Sequence, residues 1–124
     1  MPFSQCQRIL IVDDVADNIF LLQTVLEAEG FEIDTACNGR LALTKIQASP
    51  PDLVLLDVMM PGMNGFEVTE CIRQNEKLPF IPILLLTAYD ETDAAEGLKI
   101  GANDFIRKPI NLDILLAKIL KFLS

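Results

Sequence analysis

The chain has 124 residues, a formal net charge of −8, and about half of its residues are hydrophobic. That length bounds it to one domain with a real core, and the composition excludes a disordered segment. The acidity argues against a nucleic-acid or anionic-membrane surface. Histidine is absent and cysteine occurs three times. The chain therefore has no histidine base, no His-containing metal site and no residue able to carry a phosphohistidine. Cys6, Cys37 and Cys71 are odd in number and form no C-x-x-C pair. They read as reduced, mostly buried thiols of a cytoplasmic protein. No apolar run suits a secretory leader or a membrane span.

Taken in chain order, residues 8–12 form an apolar run of the kind buried on both faces of a sheet, and Asp13-Asp14 follow at once. Over 18–29 the spacing of Ile19, Leu22, Val25 and Leu26 predicts a helix that Gly30 stops. Residues 31–36 alternate, with Phe31 and Ile33 against Glu32 and Asp34, so this strand belongs at an edge. A helix over 40–48, with Leu41, Leu43 and Ile46 as its apolar positions, ends before Pro50-Pro51. Residues 53–57 are again an apolar strand, but its last position is Asp57, and Pro61-Gly62 and Asn64-Gly65 turn the chain after it.

A helix over 65–74 packs Phe66, Val68 and Ile72. An apolar strand over 81–86 ends at Thr87. The helix over 91–100 is intrinsically weak, because Gly97 lies inside it and its apolar face is mostly alanine. A short charged strand over 103–107 reads as a second edge, broken by Lys108-Pro109. The last helix covers 111–123 with Leu112, Leu115, Leu116, Ile119 and Leu123 in one stripe.

Five strands alternating with five helices predict an α/β fold with a doubly wound parallel sheet. The apolar strands take the middle and the mixed ones the edges, and right-handed crossovers then give the order 2-1-3-4-5. In such a sheet a ligand lies beyond the carboxyl ends of the strands, where the winding reverses, here between the first and third.

Asp13, Asp14, Asp57, Thr87 and Lys108 all fall on that one edge. Each has an ordinary reading alone: a helix-start carboxylate, a capping threonine, a solvated lysine. Their convergence is what points to chemistry. Three crowded carboxylates oppose one another's ionisation unless a cation joins them. Hard oxygen ligands without histidine suit Mg²⁺, which keeps waters and accepts a phosphate oxygen. A carboxylate beside Mg²⁺, a lysine and a threonine is placed to attack a phosphoryl group and form an acyl phosphate, and central Asp57 is the candidate.

With these residues in hand, the chain resembles the receiver domains of two-component response regulators over essentially its whole length. The matching motifs are Ile11-Val12-Asp13-Asp14, the Asp57 loop ending Met60-Pro61-Gly62, Leu86-Thr87-Ala88, and Lys108-Pro109. The resemblance implies a flavodoxin-like, CheY-like fold and one receiver domain over 1–124 with no output domain. It makes Asp57 the phosphoacceptor, with Asp14, Asp57 and the Met59 carbonyl as Mg²⁺ ligands and Asp13 acting largely through metal-bound water. Thr87 and Lys108 hold phosphoryl oxygens, Phe105 is the switch aromatic, and Lys108–Pro109 is a candidate cis bond. The partners implied are a histidine kinase or histidine phosphotransfer protein and a downstream target or attached output domain, with no direct nucleic acid and no membrane. Such a domain catalyses its own phosphoryl uptake and slow hydrolysis and is not a turnover enzyme.

Two positions depart from common family choices. Phe105 lacks the hydroxyl of the tyrosine many members carry, so its switch works by packing. Met59 and Tyr89, each two residues beyond a site residue, are large where the family tunes phosphoryl lifetime. Other readings fit less well. A dehalogenase-type phosphatase needs an acid where Met59 stands, and a flavodoxin-type module needs a phosphate loop where Asp13-Asp14 would repel one. The remaining alternative is a receiver-like interaction module that works without phosphorylation. On the last helix, Ile114 lies almost opposite the apolar stripe, among Lys118 and Lys121, which marks that face as a partner surface.

Overall fold

Apolar runs of five residues have nowhere to go in water except the middle of a sheet, and that is where they lie. The computed structural model of the chain describes residues 7–88 and 91–123. Its elements in order are β1 (Arg8–Val12), α1 (Ala16–Ala28), β2 (Glu32–Ala36), α2 (Gly39–Ala48), β3 (Leu53–Asp57), α3 (Gly65–Gln74), β4 (Ile83–Thr87), α4 (Glu91–Ile100), β5 (Asp104–Arg107) and α5 (Leu112–Leu123). All neighbouring strands pair in parallel, in the order β2-β1-β3-β4-β5. Every position of β3 and β4 is buried, whereas β2 alternates and sits at an edge.

The strands carry a core on each face. Leu10, Val54, Leu56 and Leu85 meet Ala42 and Ile46 of α2 and Val68 and Ile72 of α3. On the other face Ile9, Leu55 and Leu84 meet Leu22 and Leu26 of α1 and Leu115 and Ile119 of α5. Each such leucine, isoleucine or valine contributes roughly 1.5–3 kcal/mol of burial.

The structure corrects several details of the sequence reading. In α2 the buried apolar residues are Ala42 and the expected Ile46; Leu41 is 37% exposed, because helix packing follows one stripe and not every leucine. Cys37 and Cys71 are exposed thiols, Cys37 because it follows β2 in a loop and Cys71 because Val68, Thr69 and Ile72 take the inner face of α3. Cys6 lies outside the described residues. Gly97 is also more than a weak point in α4. A Cβ there would collide with Leu85 Cδ1 and stand 3.3 Å from Phe66 Cε1, so the missing side chain lets α4 lie directly on β4.

At the amino end of the sheet, Arg73 of α3 joins three segments. Its Nε donates to Gly101 O, its Nη1 to Ile81 O and its Nη2 to Asn103 Oδ1, at 2.8–2.9 Å. The Asn103 oxygen also accepts the Ile83 N–H. The guanidinium lies 4.8 Å from the centre of the Phe80 ring. Burial lowers its pKa from the usual arginine value.

Candidate functional site

Strand register alone brings the predicted residues together. Val12 pairs with Leu56, so Asp13 emerges beside Asp57. Asp57 pairs with Leu86, so Thr87 stands one step beyond it on β4. Thr87 pairs with Arg107, and the Lys108 N–H donates to Thr87 O at 2.7 Å. Parallel strands end together, and their first loop residues form one rim.

The turn after Asp57 is shaped by small and capping residues. Asn64 and Glu67 form a reciprocal capping box at the start of α3. Gly65 donates to Val58 O at 3.0 Å, and a Cβ on it would stand 2.6 Å from Asp57 O. Only glycine lets α3 begin this close to the end of β3.

At the rim, ligand oxygens of Asp13, Asp14 and Asp57 lie within 4.8 Å of one another. Asp13 and Asp57 are almost wholly buried and Asp14 is exposed. Lys108 Nζ is 2.9 Å from Asp57 Oδ1, which also accepts the Met59 N–H at 3.4 Å. Asp13 Oδ1 accepts the Val15 N–H at 2.9 Å and its Oδ2 the Asn18 side-chain amide at 3.2 Å. The ordinary reading of Asp13 as a helix opener is thus also realised, since α1 has no side-chain N-cap of its own. Burial raises the Asp13 pKa, and the nearby Asp57 charge adds to it; the Val15 and Asn18 bonds and the Lys108 charge oppose them.

The donor set fits a hard divalent cation. Three carboxylates face one ammonium, the ammonium is already bonded to Asp57, and the exposed Asp14 leaves the cluster open on one side. Thr87 is buried at the same rim. Lys108–Pro109 is cis. A cavity of about 320 Å³ opens beside Asp13 and Lys108, lined further by Leu21, Leu22, Pro109 and Ile110.

The response regulator receiver domain family matches residues 9–120. The chain belongs to that family. This receiver is 44% identical over 113 residues to the response regulator PleD of Caulobacter vibrioides, covering 90% of this chain and 25% of that protein. It is 46% identical over 106 residues to the alkaline phosphatase synthesis transcriptional regulatory protein PhoP of Bacillus subtilis, covering 85% and 43%. The chain therefore spans a quarter to less than half of these relatives. Among solved structures, the chemotaxis protein CheY4 of Vibrio cholerae superposes with a TM-score of 0.89 at 34% identity, covering 96% of this receiver and all of that chain. Receiver domains are signalling modules of two-component systems, not turnover enzymes. No helix among the described residues is long and apolar enough to cross a membrane.

The remaining expected residues are placed as follows. Met59 is 66% exposed at the mouth of the site, and Tyr89 lies outside the described residues. Phe105 is half-buried against the α2–α3 face of the sheet. Ile114 is 49% exposed, and Lys121 is exposed with its ammonium 5.3 Å from the Phe122 ring centre. Lys118 differs from its expected place on the free surface: its ammonium turns inward to Asp104 and Phe105. The sequence reading missed Asn18 as a partner of Asp13; an amide in the first turn after an acidic pair was the available signal. It missed Arg73 entirely, because two of its three acceptors, on Gly101 and Asn103, lie about thirty residues further along the chain.

Proposed function

We propose that this receiver takes a phosphoryl group onto Asp57 from a phosphohistidine on a histidine kinase or phosphotransfer protein. The observation that carries this reading is the cluster of three carboxylates around one ammonium at the carboxyl end of β3. In the transfer the phosphorus–nitrogen bond of the donor breaks, an Asp57 oxygen forms the new bond to phosphorus, and imidazole leaves. Asp14, Asp57 and the Met59 carbonyl would hold Mg²⁺, with Asp13 acting through its water. The ion's contribution is to neutralise charge on the phosphoryl oxygens and the carboxylates.

The chain's own residues do the positioning. Lys108 gives up its bond to Asp57 in favour of a phosphoryl oxygen, and the Thr87 hydroxyl takes another. Asp13 stays anchored to Val15 and Asn18, which keeps the mouth of the site in place. A donor approaches over the cavity beside Lys108, where half-exposed Leu21 offers apolar contact.

The phosphoryl group is read out on the face of α4, β5 and α5. When Thr87 moves toward it, the space vacated accepts the Phe105 ring, and differential contact shifts the population. An inward phenyl buries only hydrocarbon, so the active-like surface is sampled before phosphorylation. Ile114 and Lys121 are exposed for a protein target or an attached output domain. The receiver itself contacts neither nucleic acid nor membrane and works in the cytoplasm; its phosphoryl group is lost by slow hydrolysis.

The test is incorporation from a small phosphodonor with Mg²⁺. Wild type takes up one phosphoryl group per chain, and none without Mg²⁺. Failure of wild type to label would leave only the phosphate-independent interaction module. Relaxation-dispersion NMR should find exchange at Phe105, Thr87 and α4 that a phosphate mimic pushes further along the same line.

A further inference from the structure

Lys118 belongs to α5, yet its ammonium reaches round the open edge of β5. Its Nζ is 2.8 Å from Phe105 O, 3.2 Å from Asp104 Oδ1 and 5.2 Å from the centre of the Phe105 ring. The same Asp104 oxygen accepts the Phe105 N–H at 2.8 Å. Both main-chain polar groups of Phe105 and one face of its ring are therefore met by a single ion pair. The pair also blunts the edge strand, since the hydrogen-bonding groups it occupies are those another strand would use.

An ordinary surface ion pair explains part of this geometry, but not its aim. The Lys118 and Asp104 side chains are only 28% and 23% exposed, and the ammonium bonds a carbonyl and faces a ring besides the carboxylate. A lysine needed only as a counter-charge to Asp104 has no reason to sit against the aromatic.

We propose that Lys118 is a positioning residue of the switch, whose ammonium holds the Phe105 ring at the rim of β5 in the unphosphorylated state. This rests on the reading of Thr87 and Phe105 as the responding pair. Inward movement of the ring gives up the cation–π contact, so the ammonium opposes the active-like arrangement and sets how much of it exists without phosphate. Removing the charge while keeping the aliphatic stem shifts that balance toward the inward ring. The main-chain bond to Phe105 O is made in either ring position, so it fixes the strand without choosing between them.

The experiment titrates the Mg²⁺-loaded chain with beryllofluoride, a phosphoryl mimic, and follows the Phe105 amide and ring by NMR. Lys118→Met and Lys118→Gln should raise the apparent affinity about two- to five-fold, the size of an exposed cation–π contact. They should also move the free-state Phe105 resonances toward their bound positions, while Lys118→Arg keeps wild-type values. In a Phe105→Leu background the gain should vanish, a result that loss of mere structural support would not give. If wild type binds and shifts Phe105 but the charge-free variants match it, or gain equally without the ring, Lys118 has no such role. If wild type does not bind, or binds without moving Phe105, the switch reading fails and this role with it.

Discussion

At the amino end of the sheet one guanidinium, Arg73, is spread over three neutral oxygens; at the carboxyl end three carboxylates crowd round one ammonium. The two sites share the parts that make buried charge expensive: partial burial, long side chains and main-chain neighbours. They differ in closure. Arg73 has its acceptors in hand and ties α3 to the segments that start β4 and β5. The acidic rim has too little positive charge and keeps a carboxylate open to solvent. A charged group whose bonds are complete is a clamp, whereas an excess of like charge kept open is a place for something to be added. The first end is closed by its own bonds, and the second is the end at which phosphoryl uptake is proposed.

Substitutions at the two ends should separate these roles. The largest contrast comes from Asp57→Asn, which should abolish phosphoryl uptake completely while leaving the fold intact. Labelling with a phosphodonor and a thermal melt on the same sample would show it, and full labelling of the variant would overturn the assignment. Arg73→Ala should do the reverse. It should cost about 2–4 kcal/mol, because three oxygens lose a charged donor together, and Lys at that position should recover only part, having no planar fork to span them. Denaturant midpoints would measure the loss. Where the variant is folded it should still bind Mg²⁺, and a variant that keeps stability but loses the metal would erase the distinction between the two ends.

Within the acidic rim the effects are smaller. Asp14→Ala should weaken Mg²⁺ more than Asp13→Ala in a metal titration, since both Asp13 oxygens already accept bonds from Val15 and Asn18. Without metal, Asp13→Asn should stabilise the chain by about 1 kcal/mol, because it removes one of the repelling charges and keeps an acceptor for the Val15 N–H. A destabilised apo variant would mean that the Asp13 charge is wanted for the fold and not only for the ion.

The smallest effect is expected away from both ends, at Asp34. Burial pushes its pKa up, but the Lys45 and Thr35 hydrogen bonds and the Lys45 and Arg8 charges outweigh it, and the pKa is lowered. The Lys45–Asp34 pair at 3.0 Å therefore adds stability above the ordinary carboxylate range, and this is lost as pH falls through the lowered value. Half of the Asp34 side chain is exposed, so Asp34→Asn should cost no more than a few tenths of a kcal/mol near neutral pH, and less in high salt. A cost comparable to that of Arg73→Ala would mean that closure of the bonds is not what distinguishes a clamp.

The order of the strands could be read from the sequence because the clues are local. Unbroken apolar runs must be buried on both faces, the alternating run over 31–36 must not be, and crossover handedness does the rest. The rim was legible for the same reason: Asp13, Asp14, Asp57, Thr87 and Lys108 each follow or end a strand, and parallel strands bring their ends together whatever their side chains do. Tertiary structure alone decided whatever depends on reach between segments distant in the chain. Arg73 finds Gly101 and Asn103, Lys118 turns round β5 to Phe105, and Gly97 is a point of close approach to Leu85. No periodicity announces these contacts. They arise from where long side chains and a missing one fall once the sheet and helices are packed.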